Sequence, residues 1–286
     1  IPSKGFIGRK MRELFTPEDG CVWGSFDYSQ QEPRIVVHYA IKLGLPGTTD
    51  LKNEFDKEDA DFHQIVADMA KISRTQAKTI NLGLFYGMGK LKLQAELGLD
   101  RMGAKKLFDE YHAKVPFVRQ LSQDLIEFAS DNRLLFTLHD RFCRFDKFET
   151  TDKHWNNETN RFDPVPLYTE EKAKQAYQAE VTEKYKDDKI PADYMKHFDR
   201  HYVPAFTYKA LNRLIQGGAA DMTKKAMVDL YEKGILPQIQ IHDELCLSIK
   251  DDKQAMEVKE TMENAISLEV NNKTNYKQGK NWGSIK

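Results

Sequence analysis

Cys21-Val22-Trp23-Gly24-Ser25-Phe26-Asp27-Tyr28-Ser29-Gln30-Gln31-Glu32-Pro33-Arg34 decides how the rest of the chain is read. Residues 21–26 mix apolar and small side chains and predict a strand that stops at Asp27-Tyr28-Ser29. From Glu32 to Leu43 the apolar residues Ile35, Val36, Tyr39 and Ala40 favour a helix. Pro33 fits only its first turn, where a missing N–H leaves no bond unmade. Pro46-Gly47 ends the helix. A buried strand that stops at a carboxylate places Asp27 at the exposed edge of a sheet.

A second carboxylate sits in the same kind of place near the other end of the chain. Gln238–Ile241 and Leu245–Ile249 predict two short strands around His242-Asp243-Glu244. Between the two turns the pattern is helical. Helices are expected over Phe62–Ala70 and over Arg74 to about Tyr86, the latter with Ser73 as N-cap and Gly87 as stop. Others are expected over Gly103–His112, Val115–Ser130, Val203 to about Lys233 despite Gly217-Gly218, and Asp251–Leu268. Residues 146–200 are polar, dense in both signs of charge, and carry Asp163-Pro164-Val165-Pro166. They read as an inserted surface segment with a charged helix within 169–186. Strands near both ends with helices between predict an α+β chain, one sheet-based domain interrupted by a helical one.

Bulk composition sets limits without choosing a function. With 286 residues, 40% hydrophobic and 30% charged, the chain can bury a globular core. It has no apolar run of roughly twenty residues that could span a membrane. The net charge of −1 shows no global preference for nucleic acid, which needs its cations on one face only. Cys21, Cys143 and Cys246 have neither zinc spacing nor a disulfide framework, which suits a reducing cytosol. The chain opens on Ile1-Pro2-Ser3-Lys4, with no initiator Met and no signal-peptide apolar core, and a piece of a longer protein is expected.

Two carboxylates brought together at sheet edges repel each other unless cations lie between them. Such a pair of hard oxygen ligands with open positions suits Mg²⁺, which keeps waters and accepts phosphate oxygens. Taken singly, each is an ordinary turn aspartate. On the helix from Arg74, residues Arg74, Lys78, Leu82 and Tyr86 recur every fourth position and share one drifting face. Its two cations lie at the N-terminal end, where the helix dipole also attracts anions. Its apolar end follows. This face suits a nucleoside triphosphate lying along the helix, although Arg-x-x-x-Lys by itself is commonplace on amphipathic helices.

Together the three segments resemble family A, polymerase I-like DNA polymerases. Asp27 to Arg34 is similar to that family's motif A. Arg74 to Gly87 is similar to motif B, and Ile241-His242-Asp243-Glu244 to motif C. Asp61-Phe62-His63, Asn212 to Gly217 and Gly279-Lys280-Asn281-Trp282 add further matches in the family's order. The resemblance implies a palm of antiparallel sheet and helices interrupted by α-helical fingers. The palm would take residues 1–50 and 201–286, and the fingers 51–200 with the insertion at about 146–200.

The implied activity is template-directed DNA synthesis by two-metal phosphoryl transfer. Asp27 and Asp243 would hold two Mg²⁺ ions, with the Tyr28 carbonyl as a further ligand. Arg74 and Lys78 would grip the triphosphate, with His63 beside it and Gln30 and Leu82 also at the nucleotide. Glu32 would exclude a ribose 2′-hydroxyl, and Tyr86 would close against the templating position. Asn212, Gln216, His242 and Tyr208 would meet the primer-template.

The chain departs from the family pattern at several of these places. Gln31 and Pro33 stand where Ile and Leu are usual, and Leu82 replaces an aromatic residue. Tyr208, followed by Lys209, stands where an Arg is usual, and His139-Asp140-Arg141 where Gly-Arg-Arg is common. The implied partners are primer-template DNA, deoxynucleoside triphosphates, and an N-terminal polymerase part carrying the thumb, and in some members an exonuclease, in cis or in trans. Without that part the isolated chain is expected to extend primers weakly or not at all. The insertion and the compact motif spellings suggest a viral enzyme, working in a bacterial or virus-infected cytoplasm. Two other readings stay open: a single-subunit RNA polymerase, which Glu32 argues against, and a non-catalytic DNA-binding remnant, which has no need of Asp27, Lys78 and Asp243 together.

Overall fold

The structure is a computed structural model and describes residues 5–55, 57, 60–85, 90–159, 161–186 and 189–285. In chain order the first elements are α1 (Phe6–Glu13), β1 (Val22–Tyr28), α2 (Gln31–Lys42), α3 (Thr48–Phe55), α4 (Phe62–Ala70), α5 (Arg74–Phe85), α6 (Lys90–Leu97), α7 (Arg101–Lys114) and α8 (Pro116–Asn132). Short strands β2 (Leu134–Phe136), β3 (Phe142–Arg144), β4 (Phe148–Thr150), β5 (Trp155–Asn156) and β6 (Arg161–Phe162) precede α9 (Glu170–Tyr185) and α10 (Phe198–His201). The chain then forms β7 (Tyr202–Pro204), α11 (Ala210–Glu232), β8 (Ile239–Ile241), β9 (Glu244–Ile249), α12 (Asp252–Asn264) and β10 (Thr274–Gly279). Among the described residues no helix is long and apolar enough to cross a membrane.

Two compact units result: Ile1–Leu121 with Thr137–Arg141 and Asn212–Lys286, and Ser122–Phe136 with Phe142–Leu211. The first is built on an antiparallel sheet of order β10-β1-β9-β8. Side chains alternate across it, so directly paired residues share a face. On one face Phe26, Tyr28, Leu245, Leu247 and Ile249 meet Met222, Ala226 and Leu230 of α11 and Val258 and Met262 of α12 in a single core. Full burial of each large apolar side chain contributes about 1.5–3 kcal/mol. The other face is apolar only at one end, where Trp23 and Cys246 pack with Trp282 and Phe15. Beyond them it carries Ser25, Asp27 and Glu244, with Lys277 on the neighbouring strand.

The motif-bearing turn after β1 is fastened from several sides. Arg34, 1% exposed, donates from Nε to the Ser29 carbonyl at 2.8 Å and from its other end to the Asn271 carbonyl. Ser29 N–H donates to the Lys273 carbonyl at 2.7 Å. Gln31 occupies a buried position by hydrogen bonding, its amide donating to the Ala219 carbonyl (3.2 Å) and Thr223 Oγ1 (3.3 Å) on α11. Helix α2 therefore forms from Gln31 despite this residue and Pro33, entered through a left-handed Gln30 that makes no side-chain cap.

Gly217 and Gly218 are explained by a loop that docks on α11. A Cβ on Gly217 would lie 2.5 Å from Thr137 Cγ2, and one on Gly218 3.1 Å from Leu138. The same loop is held by Arg141, which pairs with the buried Asp221 and donates to the Gly217 carbonyl at 2.9 Å.

Three expectations need correction. The helix expected from Val203 begins at Ala210, because Tyr202–Pro204 pairs with β4 and Phe206 turns the chain left-handed at φ 66°. The last helix ends at Asn264, short of Leu268, and the chain goes on to form β10. Residues 146–200 are more than a surface segment. Phe148, Ala173, Tyr177, Val181, Phe198 and Tyr202 form a core of their own in the second unit. The charged helix expected there is α9, whose Ala173, Tyr177 and Val181 lie four residues apart and turn inward.

Candidate active site

β1 and β9 bring the two carboxylates together, although Asp27 does not lie in a turn at a sheet edge as expected: β1 runs on through Tyr28, and Asp27 is paired on both sides, with Asn275 and Glu244. Asp27 pairs directly with Glu244, and Tyr28 N–H donates to the Asp243 carbonyl at 3.3 Å. Asp243 sits in a two-residue turn between β8 and β9, entered through His242 in the left-handed region at φ 53°. Gln30, at the end of the other turn, has the same φ of 53°. Neither is a glycine, and non-glycine residues held there store strain that the surrounding structure must oppose.

The electrostatics follow from this crowding. Burial pushes Asp27 up to about 6, and the charges of Asp243 and Glu244 add to the effect while Lys277 opposes it. Asp243 is also raised, chiefly by burial. Glu244 is drawn along the sheet, accepting from Ser25 Oγ at 2.5 Å and from Cys246 Sγ at 3.3 Å. Two half-buried acids that resist ionisation side by side form a site that gains from a cation.

Asp243 opens on a cleft of about 790 Å³, also lined by Gln30, Glu32, Gln216, Lys224 and His242. Gln216, Ala220 and Lys224 are spaced by four along α11 and present one face to it. Lys224 was not singled out in the sequence, although that spacing is its signal. Asn212 lies two residues inside the start of α11 and does not line the cleft. Tyr208 lies in the second unit, 52% exposed, with the Lys209 ammonium 5.5 Å from its ring centre.

Gln30 links this turn to the start of α4: its Nε2 donates to the Ala60 carbonyl at 2.8 Å, and its Oε1 accepts from Phe62 N–H at 2.7 Å. Asp61 caps α4, accepting from the N–H groups of His63 (2.9 Å) and Gln64 (3.2 Å). Its second oxygen takes Arg74 Nε at 2.8 Å and a terminal guanidinium nitrogen at 2.6 Å. Burial alone would raise the Asp61 carboxyl, but Arg74 and the two N–H groups hold it below its usual range.

Ser73 and Gln76 cap α5 reciprocally, Gln76 N–H donating to Ser73 Oγ (3.2 Å) and Ser73 N–H to Gln76 Oε1 (3.1 Å). Arg74 and Lys78 are exposed and Leu82 is half-buried, while Ala77, Ile80, Asn81 and Phe85 turn inward. His63 is buried, and Asn81 Nδ2 lies 3.2 Å from its Nδ1. With the Asn81 amide as donor, the imidazole is neutral and carries its proton on Nε2. Burial lowers its basicity, with Arg74 and Lys78 reinforcing this and Asp61 opposing. The Tyr111 hydroxyl donates to Asn81 Oδ1 at 2.5 Å and fixes that amide. Tyr86 and Gly87 lie outside the described residues.

A family model described as DNA polymerase family A matches residues 1–162 and 152–284. The chain belongs to DNA polymerase family A. It is 31% identical to a DNA-directed DNA polymerase of Pseudomonas phage M6, over 99% of this chain and 41% of the phage protein. It is 27% identical to DNA polymerase I of Caldicellulosiruptor bescii, over 100% of this chain and 29% of that one. This family A chain thus spans well under half the length of these relatives. Its fold is similar to the structure described as the POL domain of Pol1 from M. smegmatis in complex with DNA primer-template and dNTP. The TM-score is 0.67 at 23% identity, covering 99% of this chain and 44% of that one.

Proposed function

We propose that this family A chain carries the catalytic centre of a DNA polymerase, adding deoxynucleotides to a primer 3′ end. The observation that carries the reading is the pairing of β1 with β9, which sets Asp27 beside the turn of Asp243. The palm reading takes the sheet with α2, α11 and α12, and the fingers reading begins at α3 and includes α4 and α5.

Among the described residues no cluster of three or more His, Cys, Asp or Glu side chains forms a metal site. The available donors are the carboxylates of Asp27 and Asp243 with the Tyr28 carbonyl. They fit a hard divalent cation, because both acids are raised by burial and a cation relieves that penalty. Two Mg²⁺ ions held there would neutralise phosphate charge and ease deprotonation of the primer hydroxyl.

The chain's own residues supply grip and selection. Lys78 is exposed and makes no ion pair among the described residues, so it is ready to meet a phosphate. Arg74, held by Asp61 through Nε and one terminal nitrogen, is half exposed and has further N–H groups to offer the triphosphate. His63, neutral and fixed by Asn81, can donate from Nε2 to a phosphate oxygen. Glu32 lines the cleft wall and would there exclude a 2′-hydroxyl. Gln216 and His242 border the same cleft and would meet the primer-template, with Asn212 further along α11. The partners are primer-template DNA, deoxynucleoside triphosphates and an N-terminal polymerase part in cis or in trans.

The test is primer extension by the polymerase assembled with its N-terminal part. Asp27→Asn and Asp243→Asn are each expected to abolish extension with the fold intact. Either variant retaining more than about one tenth of the wild-type rate refutes the assignment, because loss of charge stabilisation in a transition state has far larger effects.

A further inference from the structure

The second unit holds a cavity of about 400 Å³ at the C-terminal half of α9. Three tyrosines line it: Tyr177, 4% exposed, and the partly exposed Tyr185 and Tyr194. Tyr177 stacks on the exposed His201 with ring centres 5.0 Å apart and planes at 28°. Around the same cavity stand Lys184, His197 and Arg200, all exposed.

Among the described residues none of Lys184, His197, Arg200 or His201 pairs with a carboxylate. Elsewhere in this unit carboxylates are paired routinely, as in Lys174–Glu170, Lys153–Glu149 and His154–Asp163. The single carboxylate in the lining, Glu180, accepts the Tyr202 hydroxyl at 2.5 Å. The cavity therefore offers aromatic side chains and a rim of cationic groups that no described carboxylate holds, with the Lys184 ammonium 5.9 Å from the centre of the Tyr185 ring.

That combination selects a ligand with a planar ring and an anionic group. Aromatic walls bind any base by stacking, about 1–3 kcal/mol per base, and nearby Arg or Lys takes the phosphate. The volume is in the range of sites for one small molecule and too small for a folded duplex. We propose that this cavity binds one nucleotide unit, its base against the tyrosine side chains that line it and its phosphate on Arg200 and Lys184. The source is either a single-stranded DNA segment passing over the second unit or a free nucleotide. The site is separate from the carboxylate centre and does not depend on the polymerase reading.

The experiment uses the full chain in two variants. Lys184→Glu with Arg200→Glu reverses the rim. Tyr185→Leu removes one stacking wall while keeping an apolar residue. Probes are a photo-crosslinking bromodeoxyuridine oligonucleotide of about ten nucleotides and a deoxynucleoside monophosphate, with a melting curve for each variant. The expected result is crosslinking within residues 177–201. Affinity at that site should fall about tenfold or more in both variants while melting is unchanged. Competition by the monophosphate assigns the free nucleotide as the source. No competition, with crosslinking retained, assigns the strand. Absence of crosslinks in 177–201, or equal affinity in all three proteins, overturns the proposal. Sensitivity to charge reversal with none to Tyr185→Leu also overturns it, since a phosphate contact without a base is then sufficient. Crosslinking here is expected to persist in Asp27→Asn, which separates this site from the carboxylate centre.

Discussion

Replacing Asp27 by Asn is expected to abolish the proposed primer extension and to stabilise the fold at neutral pH. The Asp27 carboxyl is raised from 3.8 to about 6 in the folded chain by burial and by the neighbouring Asp243 and Glu244. Its folded-state value lies above its unfolded one. As pH rises from about 4 to about 6 the unfolded state loses its proton first, so the fold is progressively penalised, and the full penalty holds above about pH 6. The shift corresponds to at most about 3 kcal/mol. At a half-exposed site, solvent screening cuts this to about 1–2 kcal/mol. Asn removes the penalty and keeps the volume. At about pH 7.5 in chelator the variant should therefore melt roughly 2–6 °C above wild type, and near pH 4 the two should coincide. Magnesium should reverse the order: a cation bound at a hundredfold its dissociation constant stabilises wild type by about 2.7 kcal/mol and the variant far less. The assay is thermal melting of both proteins across this pH range, with chelator and with magnesium. A variant no more stable than wild type at neutral pH, or equally stabilised at pH 4, refutes the charge-crowding argument.

Glu32→Ala should raise ribonucleotide incorporation, measured as the ratio of ribo- to deoxynucleotide addition under single turnover; an unchanged ratio with measurable rate places the gate elsewhere. Leu82→Tyr should raise dideoxynucleotide incorporation, because the introduced hydroxyl can replace the missing 3′-hydroxyl contact. A lowered melting temperature with unchanged selection would make Leu82 a packing residue only. Gly24→Ala should cost about 1–3 kcal/mol by overpacking in a denaturant titration, since its Cβ would lie 2.6 Å from Ile249 Cγ1 and 3.0 Å from the Phe26 ring.

What could be read from the sequence was local. β1, α2, α4, α5 and the β8–β9 turn each announce themselves through spacing within a dozen residues. Their carboxylates and cations sit at positions that one element alone defines. β10 was not legible because Thr274–Gly279 has one apolar residue, Tyr276, whose role comes from stacking on Phe26 at 4.6 Å across the sheet. The core of the second unit escaped for a similar reason. Phe148, Tyr177, Phe198 and Tyr202 are scattered among charges and become a pattern only after the chain returns on itself. At the site, the hold of Asp61 on Arg74 and the bridge from Gln30 to α4 involve partners too far apart for periodicity to show.

The sheet order has a consequence for synthesis on the ribosome. β1 lies between β10 and β9, so the strand bearing Asp27 is made long before either neighbour and finds both only when β9 and β10 have emerged. Ser25 and Glu244, joined by a hydrogen bond, are 219 positions apart. At about 5–20 residues per second, β1 waits on the order of ten seconds or longer before its flanks are covered. During that interval Trp23, Phe26 and Tyr28 lie on an unpaired strand, and a nascent chain has good reason to keep them shielded by a chaperone. Assembly of the carboxylate pair is for the same reason a late event: a chain truncated before β9 already carries Arg74 and Lys78 but lacks the strand that sets Asp243 beside Asp27.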